Sequence, residues 1–104
     1  MSESKSHKNA KNKAAGYGGE TEKPLSGGRR LDALSLNGRA TEIERSHSAK
    51  GLEAAARRLR DAPGASQHVL QVPEQDMNMG AAAMHKVGVH GTVKNMSGTK
   101  RRPV

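Results

Sequence analysis

Residues 29–46 read RRLDALSLNGRATEIERS and contain the clearest structural signal in the chain. The Asn37-Gly38 pair marks a tight turn, because glycine takes positive φ without steric cost and asparagine tolerates it. The segments on either side of this turn are therefore predicted to pair as antiparallel strands.

The length of the connecting loop sets the register of these strands. A two-residue loop places Asp32 across from Ile43, and its carboxylate then points away from that of Glu42. A three-residue loop over residues 36–38 places Asp32 opposite Glu42, with Glu44 on the same face. We favour the three-residue loop, because it also collects small and apolar side chains on the opposite face for a helix to cover. They are Leu31, Ala33, Thr41 and Ile43.

The preceding hairpin adds further acidic residues to the same face. A loop over residues 26–28 places Glu22 opposite Asp32, with Glu20 beside it, so that up to five carboxylates converge. Like charges within about 4–6 Å oppose folding unless a cation intervenes, and oxygen ligands favour Mg²⁺ or Mn²⁺ over Zn²⁺. The alternative is a solvated sheet face. Its acids would be balanced by Arg29, Arg30, Arg39 and Arg45.

The composition predicts a thin core. Leu, Ile and Val make up 14 of the 104 residues, Phe and Trp are absent, and Tyr17 is the one aromatic residue. This apolar fraction overlaps that of disordered chains, so disorder competes with a folded domain. A folded domain of this size buries limited surface, and a homodimer or a bound partner would add stability.

The chain is strongly basic. Eighteen Lys and Arg against ten Asp and Glu give a formal net charge of +8. Nucleic acid is the polyanion that such charge favours, and plain solubility or an acidic protein partner are the alternatives. The predicted nucleic-acid-binding residues are Lys11, Lys13, Arg30, Arg45, Lys94, Arg101 and Arg102.

The chain has no cysteine, which excludes disulfides and thiolate metal sites. The sequence shows no secretory signal and no apolar run approaching the roughly 20 residues that span a bilayer. A cytoplasmic protein without a membrane partner is therefore predicted.

Hydrophobic periodicity and Gly/Pro punctuation predict one α/β domain over residues 8–96. Residues 1–7 are predicted to be a disordered basic tail and residues 97–104 a basic C-terminal tail. The strand after the second helix completes a βαβ unit and should lie parallel to the third strand. The first and third predicted helices cover residues 10–15 and 74–86, and the second is capped by Ser46 or Ser48 and stopped by Pro63-Gly64. The strands cover residues 20–25, 29–36, 39–45, 67–72 and 89–96.

This element order, with an Asp on the second strand and an acidic-x-charged triplet on the third, resembles the restriction-endonuclease-like PD-(D/E)XK nucleases. The resemblance covers roughly residues 8–95 and implies an αβββαβ core with a mixed sheet. Asp32 matches the motif's Asp, Glu42 matches its second acid, and Glu44 stands where the family usually has Lys. Glu20 or Glu22 would be the accessory acid.

The resemblance implies a Mg²⁺- or Mn²⁺-dependent nuclease that hydrolyses phosphodiester bonds, with DNA favoured over RNA. Asp32, Glu42 and Glu44 would be catalytic, and the metal would be bound by Asp32, Glu42, Glu22 and Glu20. Small nucleases of this fold also occur as toxin domains, which implies an immunity-type inhibitor protein as a partner. The alternatives are a non-catalytic basic nucleic-acid-binding protein and a regulatory protein that docks on an acidic partner.

Overall fold

Residues 4–104 are described by the structure, a computed structural model, as three α-helices and one six-stranded sheet. The helices are α1 (Lys5–Ala15), α2 (Ala49–Arg60) and α3 (Met77–Val87). The strands are β1 (Glu20–Pro24), β2 (Arg30–Leu34), β3 (Arg39–Ile43), β4 (Gln67–Gln71), β5 (Thr92–Lys94) and β6 (Arg101–Pro103).

The strands lie in the sheet in chain order. β1, β2 and β3 form an antiparallel meander, and β3, β4 and β5 are parallel to one another. α2 and α3 are the crossover helices that parallel neighbours require. β6 returns antiparallel to β5, so the sheet is mixed. The predicted α/β class and the predicted parallel βαβ unit are confirmed.

The β2–β3 hairpin has the register that the three-residue loop predicts. Ala33 pairs with Thr41, and the N–H of Ser35 donates to the carbonyl of Arg39 at 2.9 Å. The loop is therefore residues 36–38, with Gly38 at a φ of 88°. The ladder pairs end at Ala33–Thr41, and extending their register puts Asp32 opposite Glu42, so the two-residue alternative is excluded. The side chains expected together on the opposite face, those of Leu31, Ala33, Thr41 and Ile43, are all buried. They do not share one environment, because Leu31 packs in the core cluster with α2 whereas Thr41 lines a cavity with α1.

The β1–β2 hairpin also has its predicted register. Thr21 pairs with Ala33, and Lys23 pairs with Leu31, which places Glu22 opposite Asp32. Glu22 itself has a φ of 56°, a conformation that few non-glycine residues adopt, so the regular strand geometry is interrupted at this acid.

The core lies between the sheet and the α2–α3 pair. α2 begins after Ser48, whose hydroxyl accepts from the N–H of Gly51 at 3.0 Å, as expected for an N-cap. Its buried residues recur at helical spacing and pack with Leu70, Val93 and Met84. They are Leu52, Ala55, Ala56 and Leu59. Within residues 4–104, no helix combines the length and apolar character that crossing a membrane requires.

α1 lies on the other face of the sheet. Thr41 lines a cavity together with Ala10 and Ala14 of α1, whereas Glu42 bonds to Arg58 of α2. Consecutive strand residues point to opposite faces, so α1 and α2 sandwich β3.

The N-terminal boundary differs from the prediction. α1 begins at Lys5 rather than at residue 10, because Ser4 caps it by accepting from the N–H of His7 at 3.1 Å. Residues 5–7 of the predicted disordered tail are therefore helical, and residues 1–3 lie outside the described residues.

The C-terminal boundary differs as well. Residues 97–104, predicted to be a basic tail, contain strand β6. Gly91 and Val104 exchange backbone hydrogen bonds of 3.1 and 2.8 Å, so this segment pairs through its main chain while its polar side chains remain exposed. The polar side chains of this segment gave no strand pattern in the sequence, because this edge strand depends on backbone pairing.

Candidate active site between β2 and β3

Asp32 and Glu42 are linked by reciprocal hydrogen bonds between side chain and backbone. The N–H of Asp32 donates to Glu42 Oε2 at 2.7 Å, and the N–H of Ile43 donates to Asp32 Oδ2 at 2.8 Å. Just beyond the Ala33–Thr41 pair, carboxylates thus accept from main-chain donors of the opposing strand. The sequence placed these two acids opposite each other, and the structure brings them together.

Glu42 is fully buried, and Arg58 of α2 is its counter-ion. Arg58 Nε donates to Glu42 Oε1 at 2.6 Å, while the other oxygen accepts from the backbone of Asp32. Burial and the negative charge of Asp32 raise the pKa of Glu42 to about 8, although Arg58 and the backbone hydrogen bond favour the ionised form. The ionised pair is therefore held at an energetic cost.

Asp32 lies between the two helices that sandwich the sheet. Burial raises the pKa of the Asp32 carboxyl group. The hydrogen bond from Ile43 and the charges of His7, Lys11 and Arg58 act in the opposite direction and lower it. His7 Nε2 of α1 lies 3.8 Å from Asp32 Oδ1. Both carboxylates thus have positive groups beside them, from α1 and from α2.

The predicted four-carboxylate metal cluster is not assembled in the structure. Glu22 is paired with Lys11 of α1, whose hydrogen bond and charge lower the pKa of the Glu22 carboxyl group. Glu20 is exposed, and its carboxylate lies 3.6 Å from Lys23 Nζ. In the part of the chain that the structure describes, no three Asp, Glu or His side chains form a group that could bind a metal ion. Glu22 and Glu20 are thus each paired with a lysine.

Glu44, predicted to be catalytic, lies against the start of α2. Its N–H donates to the carbonyl of Gln71 at 3.0 Å, which extends the contact between β3 and β4. A methyl group on Gly51 would lie 3.1 Å from Glu44 Oε2, so this carboxylate is next to the first turn of the helix. A negative charge is favourable at that position because of the helix dipole.

The predicted nucleic-acid-binding residues occupy different environments. Lys13 and Lys94 line one cavity, together with Arg39. Lys11 is 2% exposed and paired with Glu22, so its charge is balanced within the protein and is not presented at the surface. The remaining four residues are exposed: Arg30, Arg45, Arg101 and Arg102.

Sequence reasoning missed Arg58 as a site residue. Its side chain turns inward to Glu42. The available signal was its position beside Leu59 and three residues after Ala55, at the border of the buried stripe.

A histidine–aspartate pair was also missed. His47 Nδ1 lies 2.5 Å from Asp76 Oδ2, and Asp76 is buried. The φ of His47 is 58°, a strained value for a non-glycine residue. The sequence gave no signal for this pair, because Asp76 lies 29 residues from His47 in the chain.

No protein-family model, curated protein or solved structure matches this chain. The function must therefore be argued from the residues of the site and their surroundings.

Proposed function

We propose that this protein is a metal-dependent nuclease that hydrolyses phosphodiester bonds in nucleic acid, with DNA favoured over RNA. The observation that carries the proposal is the reciprocal bonding of Asp32 and Glu42 on neighbouring strands. The order α1-β1-β2-β3-α2-β4 is the αβββαβ order of the restriction-endonuclease-like nucleases, and both acids lie on the strands that this resemblance implies.

The chemistry of the pair fits a divalent cation such as Mg²⁺ or Mn²⁺. Such ions are bound by one or two carboxylates, and water and substrate phosphate complete the coordination shell. Burial raises the pKa of both acids, and the charge of Asp32 raises that of Glu42 further. A cation between them would relieve this repulsion. Asp32 and Glu42 would bind the ion, which polarises the scissile phosphate and lowers the pKa of a bound water.

The chain's own residues hold the two carboxylates in position. Backbone N–H groups of the opposing strand fix one oxygen of Asp32 and one of Glu42, so the pair is oriented before a ligand binds. Arg58 is hydrogen-bonded to Glu42 Oε1 and must move from that atom before it can bind a cation.

Glu44 replaces the lysine that the family usually has on the third strand. A lysine from elsewhere lies near the pair: Lys11 of α1 is close enough to Asp32 that its charge lowers the pKa of that carboxyl group. We therefore assign the positive charge of this site to α1 instead of β3, and we give Glu44 no direct part in the chemistry.

A cleavage assay tests the proposal. Purified protein is incubated with single- and double-stranded DNA and RNA in Mg²⁺, Mn²⁺ or EDTA. We expect metal-dependent cleavage that falls about 100-fold or more in Asp32→Asn and Glu42→Gln, because metal activation contributes several kcal/mol. Glu53→Gln is the matched control, since this acid on α2 bridges Arg57 and Lys86 instead of the pair.

One observation favours a second function. Arg58 already neutralises Glu42, so the pair can also be understood as a structural ion network in a basic protein. The chain would then be a non-catalytic nucleic-acid-binding protein. This function takes over if folded protein binds nucleic acid equally with and without metal and cuts none of the four substrates.

A further inference from the structure

A cavity of about 260 Å³ lies between α1 and the parallel part of the sheet. Its floor includes Thr41 of β3 and Gln71 of β4, and both residues are buried. Gln71 Nε2 donates to the carbonyl of Met96 at 2.9 Å, which fixes the turn after β5 as one wall.

Cations from three different elements line this cavity: Lys13 of α1, Arg39 of β3 and Lys94 of β5. The described lining contains no Asp or Glu that would neutralise them. Burial lowers the pKa of the Lys94 ammonium, and the charges of Arg101, Arg39 and Lys13 lower it further. The positive charges therefore repel one another, a cost that an anionic ligand would remove.

The residues around these cations suit a phosphate group. Lysine and arginine donate charge-assisted hydrogen bonds to phosphate oxygens, and a recessed site with like-charged walls strengthens that attraction. Thr41 and Ser97 add hydroxyl groups to the lining. Thr41 immediately precedes Glu42, so the cavity begins one residue from the acid pair, on the α1 side of β3.

We propose that this cavity binds a backbone phosphate of the nucleic-acid strand through Lys13, Arg39 and Lys94, an inference that rests on the proposed nuclease function. The contact positions the strand and does not read its sequence.

Binding of a labelled oligonucleotide in EDTA tests the cavity without cleavage. We expect Lys13→Gln and Lys94→Gln to weaken binding about 5- to 10-fold each and to reduce the salt dependence by about one phosphate contact. The matched controls are Lys8→Gln on α1 and Lys50→Gln on α2, which remove the same charge at exposed positions outside the cavity. We expect these controls to change affinity less than about 2-fold.

A stability measurement separates a ligand site from a structural role. Because Lys94 is repelled by its neighbours, Lys94→Gln should unfold at the same denaturant concentration as the wild type or at a higher one. Should this variant fail to fold, Lys13→Gln at an exposed position still carries the test.

Two outcomes would overturn the inference. The first is wild-type affinity and salt dependence in both cavity variants. The second comes from measuring inorganic phosphate binding to the same two variants. If they lose phosphate binding while their oligonucleotide affinity is unchanged, the cavity is a site for free phosphate.

The inference and the nuclease proposal can fail separately. Weakened binding in the cavity variants of a protein that never cleaves would sustain the cavity and reject the nuclease. Metal-dependent cleavage with unchanged binding in both variants would sustain the nuclease and reject the phosphate site in the cavity.

Discussion

The backbone N–H of Asp32 donates to Glu42 Oε2 at 2.7 Å, so the acids of two neighbouring strands are joined without any ligand. The bond from Ile43 to Asp32 Oδ2 makes the arrangement reciprocal. Two buried carboxylates this close carry a cost that Arg58 only partly offsets. The proposed function and most of the following expectations derive from that cost.

Stability should fall as pH rises from about 4.5 to about 8. Across this window the folded state retains a proton on Glu42 that the unfolded chain has released, because the pKa is raised to about 8 in the fold. We expect Glu42→Gln to remove the part of this dependence that Glu42 causes and to exceed the wild type at pH 8.5 by on the order of a few kcal/mol. Denaturant unfolding at pH 5 and 8.5 measures it, with Glu53→Gln keeping the wild-type slope. A wild type that gains stability between these values would contradict the assignment.

Removing Arg58 should destabilise the protein most at high pH. Arg58→Gln leaves Glu42 Oε1 without its cation, and we expect a loss of about 2–4 kcal/mol at pH 9. The loss should shrink at pH 6, where Glu42 takes up a proton. Arg57→Gln is the control, because Arg57 is 48% exposed and its 3.7 Å bridge to Glu53 contributes less than about 1 kcal/mol. Equal losses in the two variants would rule out Arg58 as the counter-ion of the pair.

The exposed acid of β1 should be dispensable for cleavage. Glu20 is 61% exposed and lies beside Lys23, so Glu20→Gln should retain cleavage within about 2-fold of the wild type. Asp32→Asn, assayed in parallel, should be inactive. A large loss of cleavage in Glu20→Gln would show that Glu20 belongs to the metal site that the sequence predicted.

The junction between α1 and β1 should tolerate no side chain at Gly19. A methyl group there would lie 2.1 Å from the carbonyl oxygen of Ala15 and 2.7 Å from that of Leu34. We expect Gly19→Ala to cost about 3 kcal/mol or more in the free energy of unfolding. Gly16→Ala should cost only about 1 kcal/mol, because its positive φ is strained while the space around it is open. Equal costs would show that the close approach is not what holds α1 in place.

The register of the site was predictable because turn chemistry is local. Glycine-containing loops over residues 26–28 and 36–38 fix both hairpins, and the two-residue period of a strand then places Glu22, Asp32 and Glu42. The same local reasoning placed the crossover helices and the parallel strand that follows α2.

The partners of the acids could not be predicted, because they come from other elements. Lys11 pairs with Glu22, and Arg58 pairs with Glu42, only once α1 and α2 are packed on opposite faces of the sheet. The prediction also assumed a regular strand, in which all the acids of one face converge, but the positive φ of Glu22 breaks that regularity. Tertiary packing therefore reduced the predicted cluster to a pair.

A crystal soaked in Mn²⁺ and recorded at a wavelength with manganese anomalous signal tests the cation site most directly. We expect an anomalous peak about 2.0–2.2 Å from oxygens of both Asp32 and Glu42, with the Arg58 side chain moved away from Oε1. A map without a peak at this position, with Arg58 still bonded to Glu42, would contradict the metal-dependent nuclease.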